Sequence, residues 1–161
     1  MEDLRRDVSI VTPMKDLEEV LRRLDVFQHA FVSIDAVREI TIASILHVFQ
    51  EESICQVEFR FSPEYMAEPT GLDWDKMMGA MVEAKSACES LLGRDRLKVG
   101  FIAIASRNYG GGSALQTMEF AKRWREHIVG FDLAASETEF PPEEFLGAIH
   151  MARDFGMGLT I

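Results

Sequence analysis

The chain has 161 residues, enough for one domain with a buried core, and its 47% hydrophobic and 27% charged content is that of a folded globular protein. Lys and Arg number 17 against 27 Asp and Glu, a formal net charge of -10, which repels phosphate backbones and anionic lipid, so neither nucleic acid nor a membrane surface is an expected partner. No apolar run approaches the ~20 residues of a membrane span, and Met1–Asp7 has no apolar core behind a basic stretch, so no secretory signal is read and a cytoplasmic location is expected.

Residues 1–14 end near Pro13 without clear periodicity and read as a leader or linker. Asp16, with Glu19 three residues later, predicts a capping box opening a helix whose apolar stripe is Leu17, Val20, Leu21, Leu24 and Phe27. A second helix is expected from about Ser33, carrying Val37, Ile40, Ile45, Leu46 and Phe49. The chain then becomes regular. A strand at about 54–61 leads into a loop with Pro63, Pro69 and Gly71, and a helix follows at about 73–92, opened by Asp73 and stopped by Gly93. A strand at about 97–105 precedes the loop Asn108–Gly112, with Ser113 as the expected N-cap of a helix reaching about Arg125. A strand at 128–134, a loop with Pro141 and Pro142, a helix at about 142–155 and a last strand at 157–161 complete the pattern. Strands alternating with helices of this length imply βαβ units, a parallel sheet and right-handed crossovers. The final strand has no loop and helix after it, so the chain reads as cut in mid-pattern.

Glu58 and Arg60 alternate with Val57, Phe59 and Phe61, so one strand face is apolar while the other presents Glu58, Arg60 and Ser62. Charges facing a helix layer are costly, whereas the interior of a barrel near its mouth accepts them. Such charges also serve as ion pairs that simply hold strands together. Asp132 stands near the end of the third strand, where an acid can orient a ligand or cap the following loop, and the backbone N–H of Ala135 can donate to a ligand acceptor. The run Gly110-Gly111-Gly112-Ser113 lacks the lysine and spacing of a phosphate loop and reads as a flexible loop with a helix cap. The four histidines, His29, His47, His127 and His150, have no metal-type spacing, and none is at a strand's carboxyl end, so no zinc site is expected from this chain. Cys55 and Cys88 read as buried free thiols.

Taken together these segments resemble the central portion of the adenosine deaminase family, zinc-dependent aminohydrolases acting on cyclic amidines and built on a (β/α)₈ barrel. Val57-Glu58-Phe59-Arg60-Phe61-Ser62-Pro63 is similar to the family's "EVRYSP"-like strand, and Val129-Gly130-Phe131-Asp132-Leu133-Ala134-Ala135-Ser136-Glu137 to its "V-x-x-D-L-A-G-D-E" segment. The helix with Asp16-Leu17, Val20-Leu21 and Leu24-Asp25 resembles the stretch that lids the purine pocket. The resemblance implies a partial TIM barrel forming one incomplete domain over residues 1–161, with a helical lid region at 15–52 and βα units at 53–161. It covers roughly strands two to five, from about residue 14 onward.

The resemblance implies that zinc-activated water converts adenosine, or a related aminopurine nucleoside, to inosine and ammonia. The family's zinc ligands are a His-x-His pair after the first strand, a His after the fifth and an Asp after the eighth. None has a counterpart here; Gly158-Leu159-Thr160-Ile161 resembles the strand leading into the family's "H-A-G-E". Zinc is therefore expected in the complete enzyme and not on this chain alone, which is expected to be inactive. By position, Ala135 matches the glycine whose N–H holds a purine ring nitrogen. Ser62, Leu17, Val20, Leu21 and Leu24 match pocket-wall positions, and Glu58, Arg60 and Asp132 support the site. Ala135 and Ser136 stand where the family has Gly-Asp, which leaves a related purine open as substrate. The alternatives are a non-catalytic half-barrel that self-associates or complements another fragment through open sheet edges, and an unrelated small α/β ligand-binding protein.

Overall fold

Local capping chemistry sets where the helices begin. Residues 9–93 and 95–161 are described by the computed structural model; positions 1–8, which hold the first part of the expected leader and the Met1–Asp7 stretch read for a signal, lie outside the described residues. Asp16 opens helix α1 (Leu17–Leu24) by accepting the Glu19 amide at 2.9 Å, which satisfies a donor that a helix start leaves bare. The box is closed one residue earlier than expected: Glu19 accepts from the Lys15 amide, not from that of Asp16. After α1 the chain tightens into a 3₁₀ turn, Asp25–Ala30, and neither piece buries a residue. The apolar stripe of this helix therefore stays out of the core, with Leu17 47% exposed. Ser33 caps α2 (Ile34–Gln50) through the Ala36 amide at 3.1 Å, and this helix does bury Val37 and Ile45.

The sheet has four parallel strands in sequential order, β1 (Gln56–Phe61), β2 (Lys98–Ser106), β3 (Ile128–Ala134) and β4 (Gly158–Thr160). Between them run α3 (Pro63–Ala67), α4 (Trp74–Leu92), α5 (Gly110–Arg123), a 3₁₀ turn at Pro142–Phe145 and α6 (Leu146–Asp154). Alternation along the strands sends Phe61, Phe101, Ala103, Phe131 and Leu133 into the sheet–helix core. Phe61 lies edge-on to Phe101 and Phe120, with centroids 6.2 and 6.3 Å away, and Phe120 lies edge-on to Trp74 at 5.7 Å, so one aromatic cluster ties β1 and β2 to α4 and α5. The opposite face carries Glu58, Arg60, Ile102, Ile104 and Asp132. The register shifts between Phe101 and Ile102, paired with Ile128 and Gly130. Val129 is the extra residue of this β-bulge and lies over Gly100, where a β-carbon would meet it at 3.1 Å.

Several expectations are corrected here. The loop after β1 contains α3, which starts at Ser62 with Pro63 in its first turn, a placement proline tolerates because that N–H has no helical partner. Helix α5 begins at Gly110, so Ser113 is not its cap; the Ser113 hydroxyl instead donates to Glu64. The start of α5 is served by Glu144, whose carboxylate accepts from the Gly111 amide at 3.1 Å. A β-carbon at Gly111 would stand 2.5 Å from the Glu144 carbonyl oxygen, so close approach explains this glycine better than flexibility does. Cys55 precedes the strand and is exposed, whereas Cys88 is buried as expected.

Candidate active-site cleft

A cleft of about 1080 Å³ opens at the carboxyl ends of β1, β2 and β3, the end at which parallel α/β sheets place their ligands. Its cover is α1 with the 3₁₀ turn behind it, contributing Leu21, Leu24 and Phe27. Arg60, Ser62, Ile104 and Ser106 enter from the strands, and Ala134, Ala135 and Ser136 form the wall beyond β3.

The residues singled out from the sequence are placed as follows. Ser62 is buried, accepts the Tyr65 amide at 3.5 Å as cap of α3, and has its hydroxyl 3.2 Å from that of Ser106. Arg60 donates to Asp132, and Thr160 donates to the other carboxylate oxygen at 2.6 Å. These three side chains form a polar belt from β1 across β2 to β3 and β4, which explains how a carboxylate only 1% exposed is tolerated. Asp132 thus lies within β3, two residues short of its end. Glu58 is exposed on the same sheet face and is not part of the cleft wall. Leu21 and Leu24 line the cleft, while Leu17 and Val20 do not. Ala135 lines it with φ of +81°, the left-handed region in which a side chain is strained and a glycine is not.

Several polar contacts at and behind this cleft were not read from the sequence, among them the bond made by Ser136 and the roles of Gln28, Tyr65, Glu68, Arg107 and Tyr109. Ser136 is buried and donates to Glu18 in α1 at 3.1 Å. Gln28 donates to the Tyr65 carbonyl at 2.7 Å and to Glu68 at 2.8 Å, and the Tyr109 hydroxyl donates to Glu68 at 2.7 Å. The bonds from Tyr109 and Gln28 hold the Glu68 carboxyl below its ordinary range. Burial, followed by Asp25 nearby, pushes the Tyr65 phenol up to about 12, and burial with the Glu68 contact pushes Tyr109 up as well. Arg107, just after β2, is 2% exposed; it donates to the Phe140 carbonyl at 3.0 Å, lies 3.8 Å from Glu137, and stacks over Phe145. It braces the β3–α6 loop from behind the cleft. Polar and aromatic residues directly after strand ends were the available signal for Tyr65, Arg107 and Tyr109.

Among the described residues no group of three or more His, Cys, Asp or Glu side chains is placed to hold a metal ion. The donor set of the described residues at this cleft therefore does not fit a zinc site; the cleft offers apolar surface for a ring, with hydroxyl, carboxylate and backbone groups at its margin.

The family model described as adenosine deaminase matches residues 1–161. The chain belongs to the adenosine deaminase family. It is 32% identical over 161 residues to the adenosine deaminase of Edwardsiella ictaluri, a match covering 100% of this chain and 47% of that protein. The chain thus spans about half the length of the curated relatives it matches. Among solved structures, Arabidopsis ADAL complexed with IMP superposes with a TM-score of 0.79 at 20% identity, covering 98% of this chain and 47% of that one. An amidohydrolase from Burkhoderia ambifaria with bound zinc gives a TM-score of 0.76 at 20% identity, covering 87% of this chain and 38% of that one. These likenesses establish the fold: four parallel strands with flanking helices, part of a deaminase-type TIM barrel. No helix among the described residues is long and apolar enough to cross a membrane.

Proposed function

We propose that this chain is part of an aminohydrolase that converts adenosine, or a related aminopurine nucleoside, to inosine and ammonia. The observation that carries this reading is the cleft at the strand ends, whose largely apolar lining with Leu21, Leu24 and Phe27 suits a flat heteroaromatic ring. In this reading the Ala135 N–H donates to a ring nitrogen. Ser62, Leu21 and Leu24 wall the base, and Arg60, held by Asp132, supports the floor, while Leu17, Val20 and Glu58 stand outside the cleft lining. That a neighbour of the same fold is complexed with IMP supports a purine occupant. The zinc-bound neighbour supports zinc in the complete enzyme, held by residues other than those of this chain, and the isolated chain is inactive. Titrating adenosine into the isotopically labelled chain tests the binding half of the proposal. The expected result is saturable amide shifts at Ser62, Leu21 and Ala135; shifts confined to α4 and α6 would refute it.

Exposure of the sheet edge favours one further reading, association through open strands. All three residues of β4 are exposed, and Leu159 is 38% exposed. Light scattering tests it: a monomer at all concentrations, with no dye-binding apolar surface, counts against association.

A further inference from the structure

Ser136 is 3% exposed, and its hydroxyl leaves the loop that carries it to donate to Glu18 Oε1 at 3.1 Å, 118 residues away in sequence. Both side chains stand on the cleft wall. Helix α1 buries no residue, so hydrophobic burial does little to keep it over the cleft. From the far end of the cover, Gln28 donates to the Tyr65 carbonyl and to Glu68, and Asp25 accepts from the Tyr65 hydroxyl at 3.5 Å. The cover is thus fastened by polar contacts at both ends, with α1 held by the Ser136–Glu18 bond. A hydroxyl donating to a carboxylate is charge-assisted, and it is stronger where water is partly excluded. Ser136 also follows Ala135, whose strained backbone persists only if its neighbours hold it.

We propose that Glu18 and Ser136 are a positioning pair that fastens α1 over the cleft and fixes the turn at Ala135. The pair deepens the reading of the cleft given above, yet its test needs no ligand and can fail without that reading failing. Hydrogen exchange of the intact chain is compared for wild type, Ser136→Ala, Glu18→Ala, the double variant and Glu18→Gln. Either alanine variant is expected to speed exchange of the Leu21–Leu24 amides about ten-fold while the Phe101 and Phe131 amides keep their wild-type rates. The double variant exchanges no faster than either single, because one bond is lost in all three. Glu18→Gln keeps an acceptor for the hydroxyl and restores most of the protection. Unchanged α1 amides overturn the proposal, as do singles whose effects add in the double variant, equal acceleration in the sheet, or a glutamine variant as fast as the alanine one.

Discussion

Arg60 and Asp132 join hands across a strand that separates them: the guanidinium on β1 donates to a carboxylate on β3, above Ile102 and Ile104 of β2. The arginine side chain is 52% exposed and the acid 1%, so the carboxylate depends on the pair more than the guanidinium does. Asp132→Asn keeps the shape and a partner for Thr160 but removes the charge that Arg60 meets. A loss of about 1–2 kcal/mol is expected in urea unfolding, the low end for a charge-assisted bond because Arg60 returns to solvent. An unchanged midpoint would show that the belt holds no strands together.

Ala135 gives a prediction of opposite sign. At φ +81° its methyl group is strained, whereas glycine adopts that backbone freely. Ala135→Gly is expected to stabilise the chain by about 0.5–1 kcal/mol, since the relief exceeds the extra freedom glycine has when unfolded. Thermal unfolding checks it, and a lowered midpoint would remove strain from the account.

Gly111 and Gly112 are adjacent and behave differently. A β-carbon at Gly111 meets the Glu144 backbone, while one at Gly112 meets nothing within 4 Å. Gly111→Ala is expected to cost about 1–3 kcal/mol by pushing the 3₁₀ turn off α5. Gly112→Ala is expected to gain about 0.5–1 kcal/mol from helix propensity. Equal effects in a denaturation series would contradict this assignment.

The pairs and turns show what a single sequence can reveal. Caps at Asp16, Ser33 and Asp73 are local chemistry, and all three side chains accept the expected amides. The alternation around Glu58 and Arg60 likewise announced two strand faces. The resemblance to the family was legible from Ser62-Pro63 and the segment around Asp132. What was hidden is nonlocal. Gly111 is explained by Glu144, 33 residues on, and nothing local in the α1 stripe says that Leu21 and Leu24 line the cleft while Leu17 and Val20 do not. Cys55 illustrates the same limit, because strand character does not say where a strand begins.

Two titrations bound the pH range of stability. Hydrogen bonding from the Trp124 indole at 2.6 Å, ahead of Arg123, lowers the Asp75 carboxyl below its ordinary 3.8. Its contribution is present above that value and is lost as pH falls through the depressed one. Trp124 fluorescence during acid titration reports it, and Asp75→Asn should abolish that step. Tyr65 works at the other end. Burial raises its phenol from 10 to about 12, so the neutral form is favoured in the fold and stability declines as pH rises from 10 toward 12. Tyr65→Phe should flatten the alkaline decline in urea midpoints; an identical decline in both proteins would point to other groups.

The proposed function places this chain as wall and floor of an aminohydrolase cleft, with metal and acid–base groups outside its 161 residues. The most direct measurement is adenosine-to-inosine absorbance with the purified chain, run beside metal analysis in the presence of zinc. The account predicts no turnover and no stoichiometric tightly bound zinc. Turnover accompanied by one tightly held zinc per chain would contradict it.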